Sequence, residues 1–191
     1  MTHRFFVDEE VDEYVTLRGD QAHQIANVLR LQPGAHVTVV RNDIESDVKL
    51  EAVTQLGVSR IVPFVSARSV VRTLAPAKRE RWARVAREAA ETARRGRIPA
   101  IDEPREWDNL FDALDAPVVI AWEGEVLTKL GDAIPQALRF SLVIGPEGGL
   151  AMEEIALARD KGAVTGSLGR RNLRSETAAI AAVALVMAAR D

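Results

Sequence analysis

Four short apolar runs, each set between helix-like or turn-like segments, limit the folds open to this chain more than any other feature. They read "RIVPFV" at 60–65, "PVVIAW" at 117–122, "RFSLVIG" at 139–145 and "AVTGSLG" at 163–169. Runs of four to six apolar residues without polar alternation suit strands buried on both faces. Helical patterns separate them: one around 50–56, a long one over 76–95, "MEEIALARDKG" at 152–162 and a closing one over about 175–190. Strands alternating with helices predict an α/β domain with a parallel sheet. In such sheets ligands bind in the loops at the carboxyl ends of the strands. Those loops follow Trp122, Ile144 and Leu168.

The first 45 or so residues have a different texture. "RFFVD" and "YVTL" look like short strands, and "GDQAHQIANVLRLQPG" looks like one helix, with Asp20 as its N-cap. Ala22, Ile25, Val28 and Leu29 share a face at helical spacing, and Pro33-Gly34 ends the element before the strand "AHVTVV". The polar stretch "RNDIESD" at 41–47 then reads as a linker, which places a small β-rich domain at 1–45 and the α/β domain at 46–191. A chain of 191 residues with 47% hydrophobic content can bury a core of that kind.

Composition excludes several classes. Without cysteine there is no disulfide framework or thiolate metal site, and His3, His23 and His36 have no ligand-like spacing, so no metal is expected. The start "MTHRFFVDEE" lacks a secretory layout, and no apolar run nears the roughly 20 residues of a membrane span, so a cytoplasmic protein is expected. The net charge of −3 hides an uneven distribution. Between Arg68 and Arg97 ten basic residues face three acidic ones, a local +7, which leaves −10 for the rest of the chain. Such a block is either a phosphate-binding surface or a solvated, salt-bridged helix face.

Two loops could carry chemistry. In Gly145-Pro146-Glu147-Gly148-Gly149 the glycines allow close backbone approach and Pro146 fixes φ, giving a rigid narrow cradle. The pattern is neither the nucleotide-binding G-x-x-x-x-G-K-[ST] nor the dinucleotide G-x-G-x-x-G. Glu153 and Glu154 in the next first turn suit the helix dipole and repel phosphate, which points to an uncharged or cationic ligand, or to a plain tight turn. In the second loop Arg170, Arg171 and Arg174 precede the last helix, where basic residues oppose the dipole and call for an acidic counterpart. Ala178, Ala179, Ala181, Ala182 and Ala184 let that helix pack closely on a sheet or on a second subunit.

"IGPEGGL" at 144–150 together with "LGRRNLRSETA" at 168–178 resembles the signature pair of the RsmE-type ribosomal RNA uridine-N3 methyltransferases of the SPOUT superfamily. "RFFV", "HQIANVLRLQPGAHV", "TQLGVSRIVPFVSARSVVR" and "RWARVAREAAETARRGRIP" extend the resemblance over most of the chain. It implies a trefoil-knotted α/β methyltransferase domain, a PUA-like RNA-binding barrel at the N-terminus, and a homodimer acting on 16S rRNA of the small ribosomal subunit. It also implies S-adenosylmethionine as methyl donor, held by Trp122, Glu123, Ile144, Gly145, Pro146, Gly148, Gly149, Leu168, Gly169, Asn172, Leu173 and Arg174. RNA contacts would come from Arg4 and Arg30, and from the basic block through Arg68, Arg72, Arg81, Arg84, Arg87, Arg94, Arg95 and Arg97.

Several positions depart from the family pattern. The stretch between Val40 and Leu50 is much shorter than usual, Thr92 and Gln55 stand where glutamine and glutamate are usual, and Asn172 replaces an apolar residue. Methylating uridine N3 requires the nitrogen to lose its proton while held in line with the methyl group, with charge on the uracil oxygens stabilised. Arg174 is the first choice for that electrostatic role. Glu147 could be the general base, although bracing the glycine turn is its simpler role, and Glu176 could brace an arginine. The target base must be unpaired, because N3 lies on its pairing edge. Two other functions fit the same residues: a SPOUT methyltransferase for another base, or an RNA-binding module without activity.

Overall fold

The structure, a computed structural model, describes residues 3–7, 37–69 and 76–189, with described side chains from Lys49 onward. The chain forms two compact units, 1–48 and 49–191. In the first, strands β1 (His3–Val7) and β2 (Val37–Arg41) pair in parallel, His3 opposite Val37 and Val7 opposite Arg41. The strand expected at "YVTL" and the helix expected over 19–34 lie outside the described residues.

Helix α1 (Asn42–Gln55) occupies the stretch read as a linker and joins it to the helix expected near Leu50. Asn42, Asp43, Glu45 and Asp47 are polar enough to suggest a loop, but such residues also favour a helix N-terminus, and that second property prevails. The run "RIVPFV" is likewise not one strand. It splits into β3 (Arg60–Ile61) and β4 (Phe64–Val65), because Pro63 between them has no N–H to continue a ladder. β3 pairs in parallel with β5 (Ala100–Ile101), and β4 with β6 (Arg105–Glu106). Helix α2 (Pro76–Thr92) lies between β4 and β5 along the chain, and short helix α3 (Trp107–Leu110) follows β6.

The main sheet has the order β8-β7-β9, all parallel, with β7 (Val118–Ala121) central, β8 (Ser141–Ile144) on one side and β9 (Val164–Gly166) on the other. Val118 stands opposite Ser141 and Ala121 opposite Ile144, while Ala121 also pairs with Gly166. The sheet is covered on both faces, as the unbroken apolar runs require. Alternation along β7 sends Val118 and Ile120 into a cluster with Trp107, Leu110, Trp122, Val143 and Ile155. Val119 goes into another with Leu130 and Ala182. Leu130, Ile155 and Ala182 come from helices α4 (Leu130–Ala133), α5 (Met152–Asp160) and α6 (Ser175–Ala188), respectively. Val119, Ile120, Leu130 and Ile155 are fully buried. Alanine at position 182 and glycine at position 166 allow this proximity: a Cβ on Gly166 would stand 2.7 Å from Leu130 Cα. The small α6 residues Ala179 and Ala182 are buried, and Val53 of α1 packs with Ala179 and Val183.

Candidate active site

Three loops meet at the carboxyl ends of β7, β8 and β9 and wall one cleft. Ala121, Trp122 and Glu123 come from the first, Ile144 through Gly149 from the second, and Leu168, Gly169, Arg171, Asn172, Leu173, Ser175 and Ala178 from the third with the start of α6. Of the twelve residues expected to hold a cofactor, eleven line this cleft. The twelfth, Arg174, is the N-cap residue of α6; its carbonyl accepts the Ala178 N–H at 2.8 Å. Sequence reasoning did not place Ala121, Arg171, Ser175 and Ala178 there. The clue for Ser175 was only its position beside the arginines at the helix start.

The glycine turn is closed by its own backbone, Gly149 N–H donating to Pro146 O at 2.9 Å. Gly149 has φ +71°, and a Cβ there would run into the Glu123 carboxylate. Arg68 donates to Gly148 O at 3.2 Å, so this arginine supports the cradle from outside. Glu147 is exposed, and among the described residues its side chain makes no hydrogen bond or ion pair. The bracing role is therefore filled by backbone and Arg68, which leaves the Glu147 carboxylate at the rim. Bracing by an acid does occur one helix turn later. Glu154, buried, accepts the N–H of Ala151 and that of Ala67, each at 2.8 Å, and its carbonyl accepts Trp107 Nε1. One of the two acids expected to repel phosphate is thus turned inward as a helix cap.

The first loop is held by a clamp. Glu125 accepts the N–H groups of Leu127 and Thr128 on one oxygen, and Thr165 Oγ1 and Arg159 Nη2 on the other, at 2.5–3.2 Å. The Thr165 hydroxyl, the two amides and Arg159 together lower the Glu125 carboxyl to about 2. Arg159 also lies 5.7 Å from the centre of the Trp122 ring, a cation–π distance. The clamp thus fixes Trp122 and Glu123, the aromatic and acidic walls of the cleft.

The basic block divides by role. Arg95 donates to the carbonyls of Thr54, Gly57 and Val58 at 2.6–3.0 Å, closing the end of α1. Arg79 pairs with Glu103. Arg84, Arg87, Arg94 and Arg97 are exposed, whereas Arg81 is half-buried with a partner of its own. Arg30 and Arg72 lie outside the described residues, as does the side chain of Arg4.

The parallel sheet and its loop cleft define the class: an α/β protein with a cleft at the carboxyl ends of its strands, the place where such sheets take ligands. The chain belongs to the RNA methyltransferase domain family, whose model matches residues 35–187. It is similar to the ribosomal RNA small subunit methyltransferase E of Bacillus subtilis, 26% identical over 243 aligned positions that cover 96% of this chain and 95% of that protein. An alignment of 243 positions exceeds the 191 residues present, so this chain is gapped against that relative, in keeping with its short stretch between Val40 and Leu50. The protein of the same name from Mycobacterium tuberculosis is 33% identical over 162 residues, 78% of this chain; the chain spans 62% of that relative's length. The structure of the Neisseria gonorrhoeae protein of that name, bound to S-adenosyl methionine, superposes with a TM-score of 0.63 at 24% identity, covering 96% of both chains. That likeness shows the fold.

Proposed function

We propose that the protein transfers a methyl group from S-adenosylmethionine to N3 of a uridine in 16S rRNA of the small ribosomal subunit. The observation that carries this reading is the convergence of three strand-end loops on one cleft of suitable chemistry. Ala121, Ile144, Pro146, Leu168, Leu173 and Ala178 give it apolar walls, Trp122 an aromatic edge, and Gly145 to Gly149 exposed peptide groups; these suit a neutral adenine. Glu123 and Glu147 place carboxylates where a sulfonium cation is favoured and a phosphate is not. When bound, the donor supplies an electrophilic methyl group.

The chain's own residues do the rest. Glu147, exposed and without a partner among the described residues, accepts the N3 proton as general base. Arg174 and Arg171, flanking Asn172 and Leu173, offset negative charge on the uracil oxygens. Arg84, Arg87, Arg94 and Arg97 bind RNA phosphates, with Arg68, Arg72 and Arg81, and with Arg4 and Arg30 from the N-terminal unit. Arg95 acts mainly as a structural cap. We read the N-terminal unit as a PUA-like RNA-binding domain over about 1–45, and residues 46–191 as a knotted SPOUT domain, the cleft loops being those threaded through the knot. Among the described residues no helix is long and apolar enough to cross a membrane. A cytoplasmic homodimer accords with ribosomal RNA as substrate and with Leu185 of α6 and the nearly fully exposed Leu138, which offer apolar surface to a second copy.

Labelled donor incubated with small ribosomal subunits lacking the modification, followed by nucleoside mapping, tests the assignment. N3-methyluridine in 16S rRNA is expected. Label on another base would favour a different SPOUT target, and donor binding without transfer to any RNA would contradict the reading.

A further inference from the structure

Ser175 opens α6, lines the cleft and is only 4% exposed. Its hydroxyl is oriented from far away in the sequence: Lys49 Nζ, on α1, donates to Ser175 Oγ at 2.5 Å. An ammonium can only donate, so this bond occupies a lone pair on Oγ and leaves the hydroxyl hydrogen for another acceptor. Among the described residues nothing accepts it. A buried donor left without a partner costs roughly 1–3 kcal/mol, and the cleft is the open side of this residue. The neighbouring cation also polarises the O–H, strengthening it as a donor to negatively charged oxygen.

We propose that Ser175, oriented by Lys49, donates its hydroxyl hydrogen to a negatively charged ligand oxygen in the cleft, with Ser175 a catalytic residue and Lys49 a positioning residue. The inference rests on the methyl-transfer reading above. Two oxygens share the required chemistry: the carbonyl oxygen of a uracil whose N3 is losing its proton, and the carboxylate oxygen of the donor. Charge develops during the reaction only on the first, so a hydrogen bond there accelerates transfer, whereas one to the carboxylate affects donor binding.

The test compares wild type with S175A, S175T, K49M, K49R and the K49M/S175A double variant, all with circular dichroism as a check on folding. Donor affinity is read by calorimetry, and transfer to small subunits by single turnover at saturating donor. S175A is expected to lose about 10- to 100-fold in transfer rate or donor affinity, the scale of one removed charge-stabilising donor. S175T, which keeps the hydroxyl, stays within about threefold, K49R falls less than K49M, and K49M adds little on top of S175A, because Lys49 acts through Ser175. A loss confined to the rate assigns the base oxygen, and a loss confined to affinity assigns the donor carboxylate. An active wild type with S175A within about twofold on both readouts overturns the proposal, as does an equal loss in S175T. A wild type that transfers no methyl group overturns the methyl-transfer reading and this inference with it.

Discussion

Gly149 and Arg94 show how single backbone positions carry this structure. Gly149 combines φ +71° with a Cβ direction blocked by Glu123, so alanine there meets both backbone strain and a carboxylate. G149A is expected to lower stability by about 1 kcal/mol or more and to weaken donor binding at least tenfold, read by chemical denaturation and calorimetry. Arg94 is the reverse case, a bulky residue at φ 53° where glycine is cheaper. It ends α2 in a Schellman turn, with Arg95 N–H on Ala90 O and Arg94 N–H on Glu91 O. R94G is therefore expected to stabilise the protein by roughly 1 kcal/mol while weakening RNA binding; a less stable R94G would contradict the backbone argument. The special status of Gly149 was legible in "GPEGG", since glycines after an apolar run signal close approach. That of Arg94 was not, because "ARRGR" offers Gly96 as an equally plausible helix terminator.

Among the elements, the strands of the main sheet were legible because burial on both faces leaves an unbroken apolar run. Shorter pieces were not: Pro63 divides a run that looks continuous, and the acidic start of α1 resembles a linker. Contacts between distant segments left no local signal. Arg95 reaches α1's end across 37 to 41 residues, and Glu125 reaches Thr165 across 40. Both can be tested. R95A frees three carbonyls and is expected to cost about 1–3 kcal/mol in denaturation, with little change in RNA affinity. R84A and R87A should leave stability nearly unchanged and each reduce the salt slope of RNA binding by about one. For Glu125 the folded carboxyl lies at about 2, below its ordinary 4.5, so the clamp's stabilisation is complete above that ordinary value. It is lost as pH falls through about 2. Denaturation from pH 5 to about 2 should show this loss in wild type and a flatter profile in E125Q.

At the scale of the whole molecule, the α/β class followed from apolar runs alternating with helical segments, and nearly all of the cleft from two motifs at strand ends and the family resemblance they carry. Three parts of the cleft came only from folding: Arg171 lines it, the acid at its rim has no partner among the described residues, and Ser175 lines it while accepting a hydrogen bond from Lys49. The charge asymmetry retains its meaning once Arg95 and Arg79 are assigned to internal contacts, since Arg84, Arg87, Arg94 and Arg97 remain exposed. In the proposed function the cleft holds the methyl donor and these exposed arginines bind RNA. The most direct measurement is transfer of labelled methyl from S-adenosylmethionine to unmodified small ribosomal subunits, with the product mapped by nucleoside chromatography. The account predicts one N3-methyluridine in 16S rRNA, at a rate that falls steeply in G149A. Calorimetric donor binding that is absent at millimolar concentration, or label that never reaches RNA, would contradict it.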